Sequence, residues 1–176
     1  MPGIRASDLE FDRLEEGEAC FWVEARSLAE FCNPLETPPW EGVDGPITAE
    51  EVYRAIEDGN VVKDHVGPGD KLPAAEDMES RANRAVTRGR HVGRIAAFVA
   101  EMPDDPITID VGMPSFGFGF DGNIRIEDGH HRLAAAIILG RPILTTFSGE
   151  WAEFQALFPE SIYAAPGASP SRVAGP

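Results

Sequence analysis

The sequence predicts one mixed α/β domain, a small β-sheet with helices packed on it. Three observations carry this. Val92, Ile95, Phe98, Val99 and Met102 recur at helical spacing. From Pro106 the period changes to two, through Ile107-Thr108-Ile109-Asp110-Val111 and again through Ile124-Arg125-Ile126-Glu127. An alanine-rich run, Leu133 to Leu139, then follows a turn of glycine and polar residues. The 176 residues suffice for one domain with a real core and are few for two.

Taken in order, residues 1–45 hold Pro34, Pro38, Pro39 and Gly42 among aromatic and acidic residues, and read as an irregular arm with a short helix near Ser27 to Phe31. The domain itself is expected over 46–163. Thr48 and Glu51 have capping-box spacing and open a helix through Val52, Tyr53 and Ile56, which Gly59 closes. Val61 to Pro73, with Gly67, Pro68 and Gly69, is a loop holding the chain's two lysines, Lys63 and Lys71. Ala74 to Met102 is helical in character, with a break or bend at Gly89 that also accounts for His91.

Ile107 to Val111 is a half-buried strand. Phe116-Gly117-Phe118-Gly119-Phe120, turned by Asp121-Gly122-Asn123 into Ile124 to Glu127, reads as a hairpin. The helix containing Leu133 to Leu139 is capped by Gly140 and stopped by Pro142. Ile143 to Phe147 is a further strand and Trp151 to Phe158 a short amphipathic helix. Residues 164–176, rich in Pro, Gly, Ala and Ser, are expected to be a disordered tail.

The formal net charge of −15 opposes general adhesion to phosphate backbones. Five arginines between Ser80 and Ala100 (Arg81, Arg84, Arg88, Arg90, Arg94), with no acid among them, nevertheless make a strip of +5. The longest strongly apolar run, Leu133 to Leu139, is far short of the roughly 20 residues of a membrane span. The acidic N-terminus has no apolar signal region, so a cytoplasmic protein without a membrane partner is expected. Cys20 and Cys32 lack the close spacing of a zinc site and read as reduced, partly buried thiols.

The chemistry concentrates in the turn Asp128-Gly129-His130-His131-Arg132. A strand running into a helix N-terminus aims backbone N–H groups outward with partial positive charge behind them, and phosphates settle there. Gly129 lets a phosphate approach the backbone, Arg132 can grip phosphate oxygens, and His130 and His131 add donors or a proton acceptor. Asp128 can take a Mg²⁺ ion or its water, orient a histidine, or cap the helix. The competing reading is a capped turn whose polar residues have no function.

The run Ile124 to Ala136, closed by Leu139-Gly140, resembles the central motif of the ParB/sulfiredoxin superfamily: a strand, a Gly-x-His-Arg or Asp-Gly-x-His-Arg turn, and an alanine-rich helix ending in Leu-Gly. Pro106 to Val111 is similar to that family's Pro-Ile-x-Val strand and Arg94-Ile95 to its preceding helix, so the resemblance covers about a third of the chain. It implies a ParB/sulfiredoxin-like fold and a nucleotide (ATP, ADP or CTP) with Mg²⁺. It places Gly129, His131 and Arg132 on the phosphates, with Asp128 as the acidic residue of the kinase-like members. His130 stands where sulfiredoxins carry their cysteine, which argues against sulfinic-acid repair. After the motif Ser148-Gly149-Glu150-Trp151 replaces the segment that partitioning clamps carry, which argues against that role too.

Three functions remain. The first is an NTP- or NDP-dependent phosphotransferase (a kinase) or nucleotide hydrolase, with Asp128, His130 and His131 as its catalytic residues and a small hydroxyl compound or a protein as acceptor. The second is a nucleotide-gated protein-binding module without turnover. The third is a nucleic-acid-processing protein working through the arginine strip of 81–94. Additional candidates are Arg81 and Arg84, in one helical phase with Arg88, as a phosphate ridge; Lys63 and Lys71, with His65, as loop cations closing on a nucleotide; and Glu36 and Glu41 as a base for a bound hydroxyl.

Overall fold

Alternating apolar residues build a five-stranded mixed sheet in the computed structural model, which describes residues 4–9, 19–40, 42–63, 87–112 and 124–164. The strands are β1 (Cys20–Glu24), β2 (Ile107–Asp110), β3 (Arg125–Asp128), β4 (Pro142–Ser148) and β5 (Ile162–Ala164), in the spatial order β3-β2-β4-β1-β5. β2 and β4 run parallel; every other neighbouring pair is antiparallel. The helices are α1 (Ala25–Ala29), α2 (Ala49–Glu57), α3 (Arg88–Ala100), α4 (His130–Leu139) and α5 (Trp151–Leu157), with a short 3-10 turn at Ala6–Asp8.

The register gathers one buried face. Val23 lies opposite Ile143, Phe21 and Ile107 both lie opposite Thr145, and Ile109 lies opposite Ile126 and Phe147. The alternate residues Trp22, Thr108, Leu144 and Thr146 are only half-buried. Such alternation marks a sheet covered fully on one side. Phe21 sits at the centre of its aromatic packing, with ring centroids 4.9 Å from Phe154, 5.4 Å from Trp151 and 5.6 Å from Tyr163.

This corrects the reading of residues 1–45 as an irregular arm. β1 lies inside the sheet, hydrogen-bonded to β4 on one side and β5 on the other, and Phe21 and Val23 are core. The physical reason is burial: Phe21 and Val23 remove large apolar surface from water, which outweighs the weak local signal of a five-residue strand. Ala6 is also fully buried, and its N–H donates to the Ser161 carbonyl at 2.8 Å.

Apart from β5 and the 3-10 turn, which the sequence did not announce, the remaining elements lie close to where they were expected. Thr48 caps α2, its Oγ1 accepting from the Glu51 N–H at 3.2 Å. The Glu51 carboxylate accepts from the Thr48 backbone N–H in return, which completes the box. It takes the guanidinium of Arg88 in a two-pronged contact, 2.8 Å on each prong, which pulls its carboxyl below the usual range. Arg88 also donates to the carbonyls of Asp44, Gly45 and Pro46, tying that segment to the start of α3. Gly89 lies in the first turn of α3 rather than at a bend, since the helix starts at Arg88. The predicted Phe116–Phe120 strand, and with it the hairpin, the helix before residue 87 and residues 165–176 of the expected tail lie outside the described residues; Ala164, assigned to that tail, ends β5, and β3 pairs antiparallel with β2.

α4 is buried on two sides. Leu133 and Ala136 belong to the core against the sheet, and Ala134 and Ala135 to a second core with Val52, Val92, Ile95 and Ala96 of α2 and α3. Gly140, in the left-handed region at φ 61°, ends the helix.

Because Phe21 is fully buried among four aromatic rings, Phe21→Ala is expected to cost about 3–5 kcal/mol of stability in urea unfolding. A loss under about 1 kcal/mol would return β1 to the status of a dispensable arm.

Candidate functional site

The turn at the end of β3 depends on glycine twice over. Gly129 precedes α4 with φ 101°, a conformation that side chains disfavour. A Cβ there would stand 2.3 Å from Ile107 Cγ2 and 3.2 Å from Ile107 Cα, so β2 packs directly on the turn. The Gly129 carbonyl accepts the first helical bond, from the Leu133 N–H at 2.9 Å. With glycine as N-cap, the first turn lacks the side-chain acceptor that usually covers its N–H groups.

His131, the second residue of α4, reaches across to His91, the fourth of α3. His91 Nδ1 and His131 Nε2 are 2.9 Å apart, so the N-terminal turns of two helices meet at this bond. The rings are within 10° of parallel with centroids 5.2 Å apart, the separation an in-plane bond between two imidazoles demands, so they lie edge to edge. The Trp40 indole covers both, 4.3 Å and 14° from His131 and 4.9 Å and 20° from His91. His130 stands edge-on to the same indole at 6.5 Å.

His91 is only 2% exposed. Burial, and then the positive charge of Arg90, lowers its pKa from 6.5 to about 4, so it is neutral at pH 7. Burial also pushes His130 down, against the opposing pull of Asp128. Neither His91 nor Trp40 was singled out as a site residue by the sequence. His91 carried one usable signal, its place four residues before Ile95 on the apolar stripe of α3, which marks a buried position.

Arg132 differs from expectation. Its side chain is only 12% exposed, with its guanidinium 2.5 Å from Asp128 Oδ2 and 3.0 Å from the Asp105 carbonyl. It braces the turn, where an exposed phosphate grip was expected: an acid one helical turn earlier and a carbonyl of the incoming loop take two of its five N–H donors. Asp128 is 68% exposed and so remains open to solvent.

The other candidates are not brought to the turn. Lys63 approaches Glu101 at 4.0 Å, just beyond the C-terminal end of α3, which by helix rise is about 15 Å along the axis from His91. Glu36 is exposed in a turn ahead of Trp40. Glu41, His65, Lys71, Arg81 and Arg84 lie outside the described residues. Of the arginine strip, Arg88 is engaged with Glu51 and three carbonyls, and Arg94 lies 4.2 Å over Phe98 while donating to the carbonyls of Val62 and Lys63. Cys20 and Cys32 are half-buried free thiols whose pKa values burial raises, so both stay protonated near neutrality. Among the described residues no three metal-ligating side chains cluster and no helix is long and apolar enough to cross a membrane.

The arrangement can therefore do two things. The converging N-termini of α3 and α4 favour an anion, and three imidazoles around one indole can donate to it or exchange protons with it. No family model, curated protein or solved structure matches the chain.

Two predictions follow from the geometry of the turn. The folded pKa of His91 lies below its unfolded value, so the unfolded chain binds more protons between them; the contribution to stability is complete above about pH 6.5 and is lost as pH falls towards 4. His91→Leu should flatten that part of the pH–stability curve relative to wild type, and parallel curves would show that His91 is not held neutral. Arg132→Ala should lower urea stability by about 1–3 kcal/mol, since it strips the brace from Asp128 and Asp105. An unchanged midpoint would return Arg132 to the role of a free surface donor.

Proposed function

We propose that this protein binds a nucleotide through its phosphates at the Asp128–Arg132 turn, and that it is a phosphotransferase or nucleotide hydrolase, as the ParB/sulfiredoxin resemblance implies. The observation that carries this reading is the Gly129 turn, which opens α4 with no side-chain cap where the start of α3 also arrives. First-turn N–H groups without a side-chain cap, beside a second helix N-terminus, suit a phosphate.

The residues divide the work. First-turn N–H groups of α4 and the His131 ring hold phosphate oxygens. Asp128, exposed beside them and anchored through Oδ2 by Arg132, is placed to hold Mg²⁺. One carboxylate is enough, because Mg²⁺ is ordinarily held by one or two carboxylates together with substrate phosphates and water. When bound, the ion supplies charge neutralisation on the phosphates. His130, kept neutral by burial and near Asp128, is suited to accept a proton from an attacking hydroxyl or water. Positioning and charge account for most of phosphoryl-transfer catalysis, so so small a set is sufficient.

One observation favours the second reading, a module that binds without turnover: Arg132 is committed to Asp128 and Asp105, which leaves fewer charges for a transition state. The nucleic-acid reading draws less support, since Arg88 and Arg94 are turned to protein carbonyls.

A thermal-shift screen of ATP, ADP, CTP and GTP, with and without Mg²⁺, is the direct test. At least one nucleotide should stabilise the protein, and His131→Ala should weaken its binding roughly ten- to hundredfold. Asp128→Asn should reduce phosphate release or transfer far more than affinity. Binding without turnover in the wild type would select the module, and no stabilisation by any nucleotide would end the phosphate reading.

A further inference from the structure

We infer that a groove at the far end of α4 from the Gly129 turn is a docking site for a basic peptide, which seats an arginine or lysine side chain between Glu24 and Glu160. None of its residues belongs to that turn, so it is independent of the phosphate reading.

The groove opens where β1 ends, β4 begins and α5 leads into β5, and Trp22, Pro142, Phe158 and Ile162 form its walls. Gly129 precedes α4 and Pro142 follows it, so turn and groove stand at opposite ends of a ten-residue helix about 15 Å long. The cavity, about 130 Å³, is well below the roughly 300–1,000 Å³ of cofactor and drug-sized sites. That is room for one side chain.

Charge selects the guest. Glu24 at the end of β1 and Glu160 just before β5 are the charged residues of the lining, and both are exposed. Arg26 and Arg141 flank these elements in sequence but do not line the groove. Two carboxylates beside apolar walls repel phosphates and acidic peptides. They suit a long side chain whose methylenes lie on apolar surface while its charge stays in water. Trp22 strengthens that choice, since indole attracts a cation best among the aromatic rings. Glu160 already holds one guanidinium, that of Arg5 at 2.9 Å, with both side chains more than half exposed. Such an exposed pair is weak and open to exchange with another cation. The net charge of −15 also draws basic partners from a distance.

Phe31 makes the guest a peptide rather than a free amine. It follows Ser27, a lining residue, by four positions, and its ring meets that of Phe158 edge-on at 6.1 Å. At 45% exposed, it leaves a large apolar ring in water beside the groove. An apolar residue next to the seated arginine covers that ring, which a free amine does not reach.

Acetylated and amidated pentapeptides Ala-Leu-Xaa-Phe-Ala, with arginine, lysine, citrulline or glutamate as Xaa, provide the test against the full chain. Binding is read in ¹H–¹⁵N spectra from the Trp22 indole N–H, assigned with Trp22→Phe, and from the backbone of residues 160–162. The arginine and lysine peptides should shift those signals, and the citrulline and glutamate peptides should bind at least about tenfold more weakly. Glu24→Gln and Glu160→Gln should each weaken the arginine peptide by up to about fivefold, and the double variant more than either. Both acids are exposed, so these variants keep the fold. Raising salt from about 0.1 to 1 M should weaken the same peptide, because contacts with exposed carboxylates are screened. Absence of a shift with both cationic peptides, equal binding of the arginine and citrulline peptides, or indifference to the double variant overturns the inference. Free arginine amide binding as tightly as the arginine peptide would overturn the peptide as guest. Nucleotide binding at the turn should be unchanged in both variants, so the two sites fail or stand separately.

Discussion

Everything in this fold turns on a helix that must be buried on two sides at once. Leu133 and Ala136 face the sheet, Ala134 and Ala135 face α2 and α3, and all four are fully buried. A helix between two cores cannot spare a polar stripe there, and small side chains let α3 come close. That close approach is what carries His91 to within a hydrogen bond of His131. The alanines contribute little apolar area of their own; their contribution is the distance they permit.

The surroundings of the imidazole pair are assembled from separate parts of the chain, each held by a different kind of force. Gly129 sets the turn by sterics against Ile107. Arg132 braces it by charge against Asp128. Trp40 comes from a segment with no regular structure, and Arg88 fastens the residues just after it, 44–46, to the first turn of α3, three positions before His91. The charged fork is part-buried and satisfied on both sides, the situation in which such contacts are worth more than exposed pairs.

Much of this was legible in the sequence, for identifiable reasons. β2, β3, β4, α4 and α5 announce themselves through strict periodicity, and the Asp128–Arg132 turn through five polar or glycine residues between a strand and an apolar helix. β1 was hidden because Cys20–Glu24 is short, has no turn partner nearby, and pairs with residues more than a hundred positions away. The imidazole pair was hidden for the same reason: His91 and His131 are forty residues apart, and no local pattern encodes a bond between two helix starts. The bracing contacts of Arg132 were hidden because local chemistry shows that a guanidinium can bind phosphate, but not that the Asp105 carbonyl lies within its reach.

The placement of β1 has a consequence for how the chain reaches this structure. Phe21 cannot find Thr145 and Tyr163 until residues 142–164 have left the ribosome, so β1 waits, apolar and unpaired, while the residues between are made. Non-local pairing of this kind slows folding, because a loop of more than a hundred residues must close before the contacts that reward it can form. Between its own synthesis and the arrival of β4 and β5, β1 offers unpaired apolar surface of the kind that makes incompletely folded chains prone to aggregate.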